Sequence, residues 1–224
     1  MDIVRMGVRE QVFNQLKEDI ISLQLVPGMM ISENDLAKRF NVSRMPVHDA
    51  LMVLSQNHLV DIFPQRGSQI SLIDLKWVDE ARFIRQTLET AVMIGLFEHI
   101  TADQITQLQD SIQKQELYME QKRSKEFIAE DNHFHHMLYL FAGREESWRV
   151  VSNTLTHFDR IRTMTLRVHF NHGLIQEHRD MIKAIQEKNA QEVTALTARH
   201  LSDYQENLNE IRETYAAYFK EAQT

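Results

Sequence analysis

Four residues in the second half of the chain, Asp131, His135, His178 and His200, have the chemistry of metal ligands. Asp131 and His135 are four apart, so a helix carries both on one face, where a carboxylate oxygen and an imidazole could grip the same ion. His178 and His200 each lie eleven residues from Asn189. If Asn189 is the turn of a helical hairpin, each histidine stands about 16 Å from it and the two are level. Three neutral imidazoles and one carboxylate suit zinc first, and also nickel, cobalt, iron or manganese. Coordination positions would remain for water or an anionic ligand. With eleven histidines in the chain, some fall four residues from a carboxylate by chance. A packing cluster is therefore the competing reading. His133 and His136, which flank His135, are expected at the surface or between helices.

Bringing the four together needs helices, and the sequence supplies them. From Asp74 onward apolar residues recur at helical spacing. Helices are expected over 74–99, 101–122, 124–143, 145–168, 174–188 and 190–219, with a capping box at Thr101 and Gln104 and breaks at Gly143, His172-Gly173 and Asn189. Val78, Phe83, Leu88, Val92 and Leu96 are the core candidates of the first. Six such helices make an antiparallel α-bundle. Arg160 and Arg162 fall on the helix expected to line its cavity, and a guanidinium can hold a carboxylate through two parallel bonds. Arg162 is thus a candidate contact for an anionic effector, with an interhelical salt bridge as the alternative. Met164 and Met181 read as core filling.

A different chemistry is written between Ser32 and Gly67. Ser32 and Asp35 resemble the start of a helix whose apolar face is Leu36, Ala37 and Phe40. Asn41-Val42-Ser43 interrupts. Ser43 can cap a second helix, and Pro46 falls in its first turn, where a missing N–H costs nothing. Val47, Ala50, Leu51 and Leu54 form its buried face. Ser43, Arg44, Met45 and His48 are left exposed at its N-terminal end. That is a helix-turn-helix, whose second helix reads the DNA major groove with its first residues. The β-prone runs 59–63 and 69–73, joined through Pro64-Gln65-Arg66-Gly67-Ser68, make a wing, with Arg66 and Gly67 at its tip. A first helix over 8–23, with Val8, Val12, Leu16, Ile20 and Leu23 as its stripe, packs behind.

Composition bounds the rest. The 224 residues suggest one large or two small domains, and 43% hydrophobic content is enough for a real core. No apolar run approaches the ~20 residues of a membrane span, and no secretory signal is visible at the start. The absence of cysteine excludes disulfides, thiol catalysis and cysteine-based zinc sites, and suits a cytoplasmic protein. The net charge of −7 is unusual for a DNA binder. Residues 1–70 carry seven basic and eight acidic groups, and the remainder 18 and 24. Affinity for DNA must then rest on a few cations, such as Arg44, Arg66, Lys38 and Arg39, doubled by dimerisation.

Residues 27–71 resemble the winged-helix domain of the GntR family of bacterial transcription regulators. Pro27-Gly28, Ser32, Leu36-Ala37, Val42-Ser43-Arg44, Pro46-Val47, Ala50-Leu51, Leu54, Leu59-Val60 and Arg66-Gly67 fall on its pattern. The resemblance implies that Arg44 contacts guanine or phosphate and that the Arg66-Gly67 tip enters the minor groove. His48 and Asn34 stand where the family has arginines. The second half is similar to the all-helical ligand-binding domain of the FadR-type branch. Asp131-Asn132-His133-Phe134-His135, His178 with Ile182 and Ala184-Ile185, His200-Leu201 and Arg85-Gln86-Thr87-Leu88-Glu89 carry that similarity. It departs at Arg144-Glu145, where the branch has Asn and an apolar residue. What it implies is a divalent ion held by Asp131, His135, His178 and His200, a small carboxylate completing the coordination, and Arg85 pairing with that carboxylate.

The expected protein is mainly α, with a winged helix-turn-helix over 1–73 and an effector-binding, dimerising helical domain over 74–224. It is read as a homodimeric repressor that binds a double-stranded operator and answers to a small organic acid or sugar acid. A regulator of the same fold with a metal-free pocket for a larger apolar ligand is the first alternative. A metal-dependent hydrolase is the second.

Overall fold

The computed structural model describes residues 7–168 and 173–221. They form two compact units. One runs to Leu75 and takes in the segment from Tyr215, and the other is Lys76–Thr214.

The first unit has α1 (Val8–Ile21), β1 (Met30–Ile31), α2 (Glu33–Phe40), α3 (Arg44–Gln56), β2 (Val60–Phe63) and β3 (Gly67–Ile70). Val12, Leu16 and Ile20 of α1 meet Val47, Leu51 and Leu54 of α3 in one apolar core with Leu36, Leu59 and Ile70. The α2–α3 turn depends on Asn41, whose left-handed φ of 52° ends α2 and lets its N–H and that of Val42 return to the last carbonyls. Ser32 and Ser43 are the N-caps, but neither hydroxyl makes the capping bond expected of it. The sheet is antiparallel in the order β1-β3-β2. Gly67 pairs with Phe63 at the wing, and its φ of +95° is one that a side chain strains to adopt. A Cβ there would lie 3.2 Å from the Ile31 carbonyl oxygen.

Two expectations change here. Strand β3 starts at Gly67 and ends at Ile70, because its register with β1 and β2 is set by the tight turn. Ile73 instead forms a parallel bridge with Phe219. Its N–H donates to the Tyr218 carbonyl at 2.7 Å, and its carbonyl accepts from Lys220 N–H at 2.9 Å. Val8 is exposed, since α1 reaches its core only from Val12.

The second unit is built from α4 (Leu75–Gly95), α5 (Ala102–Glu120), α6 (Ser124–Phe141), α7 (Glu145–Val168), α8 (Gly173–Gln186), α9 (Ala190–His200) and α10 (Leu208–Thr214). Helix α5 packs on α6 and α8, α6 on α7, α8 on α9, and α10 on α7. The Thr101–Gln104 capping box is present in both directions. Lys122, Gly143 and Lys188 all turn left-handed after a helix, and the next N–H reaches back five residues: Arg123 to Tyr118, Arg144 to Tyr139 and Asn189 to Ala184. These are Schellman-type stops that fold successive helices into hairpins. The break expected at His172 lies outside the described residues.

The expected helix over 190–219 is corrected. It stops at His200, and the chain turns through Asp203–Gln205, α10 and Ala216–Tyr218. A straight helix would hold one stripe against the bundle. The bends instead bury Leu201, Tyr204 and Ile211, with Tyr204 edge-on to Phe158 at 5.6 Å. Phe83 is also corrected: it is 61% exposed. Helix α4 turns Val78, Arg85, Glu89 and Val92 inward, which leaves Phe83 outside with Thr87, Ala91 and Ile94.

Candidate functional site

Three helices supply the ligand set. Asp131 and His135 stand one turn apart on α6, His178 is on α8, and His200 is the last residue of α9. All four are buried, and one ligand atom from each lies within 4.8 Å of the others. His178 Nε2 is 3.3 Å from His200 Nε2 and 3.6 Å from Asp131 Oδ1, and His135 Nε2 is 3.7 Å from Asp131 Oδ2. The α8–α9 hairpin turns at Asn189, whose Oδ1 accepts from Glu192 N–H to cap α9. That turn sets His178 opposite His200.

A second layer orients every imidazole. His135 Nδ1 is 2.7 Å from Glu89 Oε1, His178 Nδ1 is 2.8 Å from Gln115 Oε1, and His200 Nδ1 is 2.9 Å from Glu177 Oε2. Carboxylate and amide oxygens accept only, so Nδ1 is the donor in His178 and His200, and their Nε2 atoms face the centre, while His135 Nδ1 stands at ion-pair distance from Glu89. Burial and then Arg85 push His135 down to about 4. Burial and then His200 push His178 well below its ordinary value. Burial alone would raise Asp131, but Arg162, His135 and His178 overcome it and hold the carboxyl ionised. Imidazole nitrogens and one carboxylate converging on a point are a donor set that fits a divalent cation.

Gln115 and Glu177 were not singled out from sequence, and Glu89 stood only as the end of the Arg85–Glu89 element, with no role given to it. Glu89 had a signal, as an acidic residue in the middle of the buried stripe of α4, and Glu177 precedes a ligand directly. Gln115 had none.

The two arginines differ. Arg162 Nη2 pairs with Asp131, and Nη1 lies 3.0 Å from Asp159 Oδ1 and Asn132 Oδ1. It orients the Asp131 carboxylate and is already engaged. Arg85 is fully buried with only Nε paired, to Glu89 Oε2 at 3.0 Å. Its Nη1 and Nη2 have no hydrogen-bond partner among the described residues, and neither has the buried Tyr139 hydroxyl. Burial and then Glu89 push that hydroxyl above its usual range, so it stays a neutral donor. Unsatisfied buried donors cost about 1–3 kcal/mol each, which an anion placed among them would relieve. His133 is exposed, and His136 stacks on Trp148 at 5.1 Å. Beside Asp131 and His200, against Phe158 and Tyr204, lies a cavity of about 30 Å³. That volume suits a water or an ion rather than an acyl chain.

In the first unit, Ser43, Arg44, Met45 and His48 are exposed at the start of α3, and Arg66 and Gly67 at the wing turn. A groove lined by Glu33, Asn34, Arg44, Phe63, Arg66 and Gly67 joins them. Two cations expected to be available are tied. Arg39 Nη2 pairs with the buried Asp19 at 2.7 Å. Arg44 Nε donates to Glu33 Oε2 at 2.5 Å, and His48 Nδ1 is 2.8 Å from Glu33 Oε1.

Comparison with known proteins covers both units. Residues 8–70 match the bacterial regulatory proteins of the gntR family, and residues 80–203 match the FCD domain. The HTH-type transcriptional repressor RspR of Escherichia coli (strain K12) is 33% identical over 219 residues, 96% of this chain and 94% of that protein. The gluconate operon transcriptional repressor of Bacillus licheniformis is 23% identical over 211 residues, 92% of this chain and 86% of that protein. The solved structure of E. coli McbR/YncC has a TM-score of 0.79 at 18% identity, covering 94% of this chain and 99% of that one, a likeness of fold.

Proposed function

This chain belongs to the GntR family of bacterial regulatory proteins, with an FCD domain as its helical half, and from that premise we propose a metal-dependent sensor of small carboxylates that controls an operator. It is a DNA-binding transcription regulator and not an enzyme. In the proposed reading it acts as a cytoplasmic repressor. Ser43, Arg44, Met45, His48, Arg66 and Gly67 meet the duplex. Asp131, His135, His178 and His200 hold a divalent ion, zinc first, which would supply a Lewis-acidic anchor for an effector carboxylate. Arg85, with two buried donors open, and the Tyr139 hydroxyl bind the rest of that anion.

The observation that carries the reading is the common orientation of the three histidines. His178 and His200 are held through Nδ1 by Gln115 and Glu177, His135 Nδ1 lies 2.7 Å from Glu89 Oε1, and one ligand atom of each ring converges with Asp131. A packing cluster has no need of three such acceptors. The polarity of this centre, with the open donors of Arg85 and the Tyr139 hydroxyl, favours an organic acid or sugar acid over a large apolar ligand. A relative named for the gluconate operon agrees with a sugar acid.

Two copies are proposed to pair along the outer face of α4, where Phe83, Thr87, Ala91 and Ile94 are exposed. That would give the two-fold arrangement that matches two operator half-sites. The effector must favour one arrangement of the DNA-reading heads, or it shifts nothing. The chain supports a route. It passes between the units at Leu75–Lys76 and again at Thr214–Tyr215. The second passage continues from the α9–α10 segment that carries His200, and ends on Ile73, three residues beyond β3.

The test is a screen of small carboxylates and sugar acids against the metal-loaded protein on a duplex that the protein itself selects from a random library. Release of DNA by one class, abolished in Arg85→Ala, is expected. Release that Arg85→Ala leaves intact would remove Arg85 from the site.

A further inference from the structure

Glu33 stands in the first turn of α2, yet its carboxylate serves the start of α3. Oε2 accepts from Arg44 Nε and Oε1 accepts from His48 Nδ1. Glu33 is 21% exposed, against 67% for Arg44 and 47% for His48, so the anion lies beneath the two groups that reach outward. The hydrogen bond from His48 lowers its pKa, burial opposes this, and Arg44 lowers it further, so Glu33 is ionised at neutral pH. It lines the same groove as Arg44, Arg66 and Gly67.

Two physical consequences follow. A free arginine at an exposed helix start samples many rotamers, and ordering it on DNA costs entropy. With Nε held, the direction of the guanidinium is fixed, and the Nη1–Nη2 edge is left for the bidentate contact that guanine O6 and N7 accept. His48 is oriented likewise, with Nδ1 as donor to Glu33 and Nε2 turned away from it. The second consequence has the opposite sign. A carboxylate in a groove that receives DNA repels phosphate and weakens binding to any sequence.

We propose that Glu33 is the positioning residue that sets operator discrimination in this chain, holding Arg44 and His48 in a base-reading pose while weakening adherence to other DNA. The proposal rests on the reading of α3 and the wing as the DNA face. It also accounts for a cation-poor reading head: with residues 1–70 slightly acidic, pre-oriented side chains rather than bulk charge must select the site.

The experiment uses the full chain, a duplex it selects from a random library, and a scrambled duplex of the same composition. Fluorescence anisotropy at fixed salt compares the parent with Glu33→Gln, Glu33→Asp and Arg44→Ala, with circular dichroism to confirm folding. Glu33→Gln should bind the selected duplex ~10-fold more weakly, the order of one base contact. It should bind the scrambled duplex ~3-fold more tightly, since one repelling charge is gone. Glu33→Asp should show the same opposed shifts at smaller size, and it carries the test alone if Glu33→Gln does not fold. Arg44→Ala should weaken the selected duplex. A purely structural role for Glu33 would move both duplexes in one direction, and that result, or unchanged discrimination, overturns the proposal. Should Arg44→Ala bind both duplexes like the parent, the DNA-face reading falls and the proposal falls with it. Loss in Arg44→Ala with parental discrimination in Glu33→Gln would overturn the proposal alone.

Discussion

His178 Nε2 and His200 Nε2 face one another at 3.3 Å. With Gln115 and Glu177 accepting at Nδ1, two neutral rings would offer lone pairs from both Nε2 atoms, and two lone pairs at this distance repel. A cation between them reverses the sign. Two zinc–nitrogen bonds of about 2.05 Å opened at the tetrahedral angle would set the nitrogens ~3.3 Å apart. The separation is compatible with two ligands sharing one ion.

The second layer should then tune the metal without holding it. Gln115→Leu and Glu177→Gln are expected to lower metal affinity by about 10- to 100-fold each. Competition against a chromophoric chelator reads the change, and circular dichroism should stay at the parental level. Parental affinity in both variants would mean that the ring orientations are set by packing alone.

Phe83→Glu tests the α4 face. Phe83 is exposed on the helix side opposite Arg85 and Glu89, so a charge there disturbs no core contact. Light scattering coupled to size exclusion should move from dimer to monomer, with metal content unchanged. A variant that remains dimeric places the interface elsewhere.

Gly67→Ala probes the wing. Its positive φ and the 3.2 Å approach of a Cβ to the Ile31 carbonyl should together cost about 1–3 kcal/mol in the stability of the first unit. Chemical denaturation measures this. Parental stability would show that the turn relaxes freely.

Truncation after Thr214 removes Phe219 and its bridge to Ile73. Metal binding is expected to persist, because every ligand and every acceptor behind it lies in Lys76–Thr214. DNA binding should also persist but lose its response to an effector identified with the parent. A truncated chain that responds normally would move the coupling to the Leu75–Lys76 passage.

The parts legible in the sequence are those that local spacing determines. Asn41, Ser43 and Pro46 punctuate a helix-turn-helix over a few residues, and Asp131 with His135 shares a face through one helical turn. His178 and His200 were legible because a single turn at Asn189 mirrors them. Gln115 was not, since its role exists only where α5 packs against α8, and the two residues are 63 apart in sequence. Glu33 was missed for the same reason at shorter range, its partners being 11 and 15 residues away. Phe83 misled because periodicity finds an apolar residue without saying which face turns inward. On α4 the buried face is the one with the ion pair Arg85–Glu89. The end of α9 at His200 was hidden because helix-forming residues continue beyond it and the bend is imposed by burial of Leu201 and Tyr204.

The central claim is a metal ion at Asp131, His135, His178 and His200. Elemental mass spectrometry of the purified protein, beside a His178→Ala, His200→Ala double variant, tests it most directly. About one divalent ion per chain in the parent and none in the variant, with helix content kept in both, is expected. Absence of metal from the parent even after reloading, or equal occupancy in the variant, would contradict it.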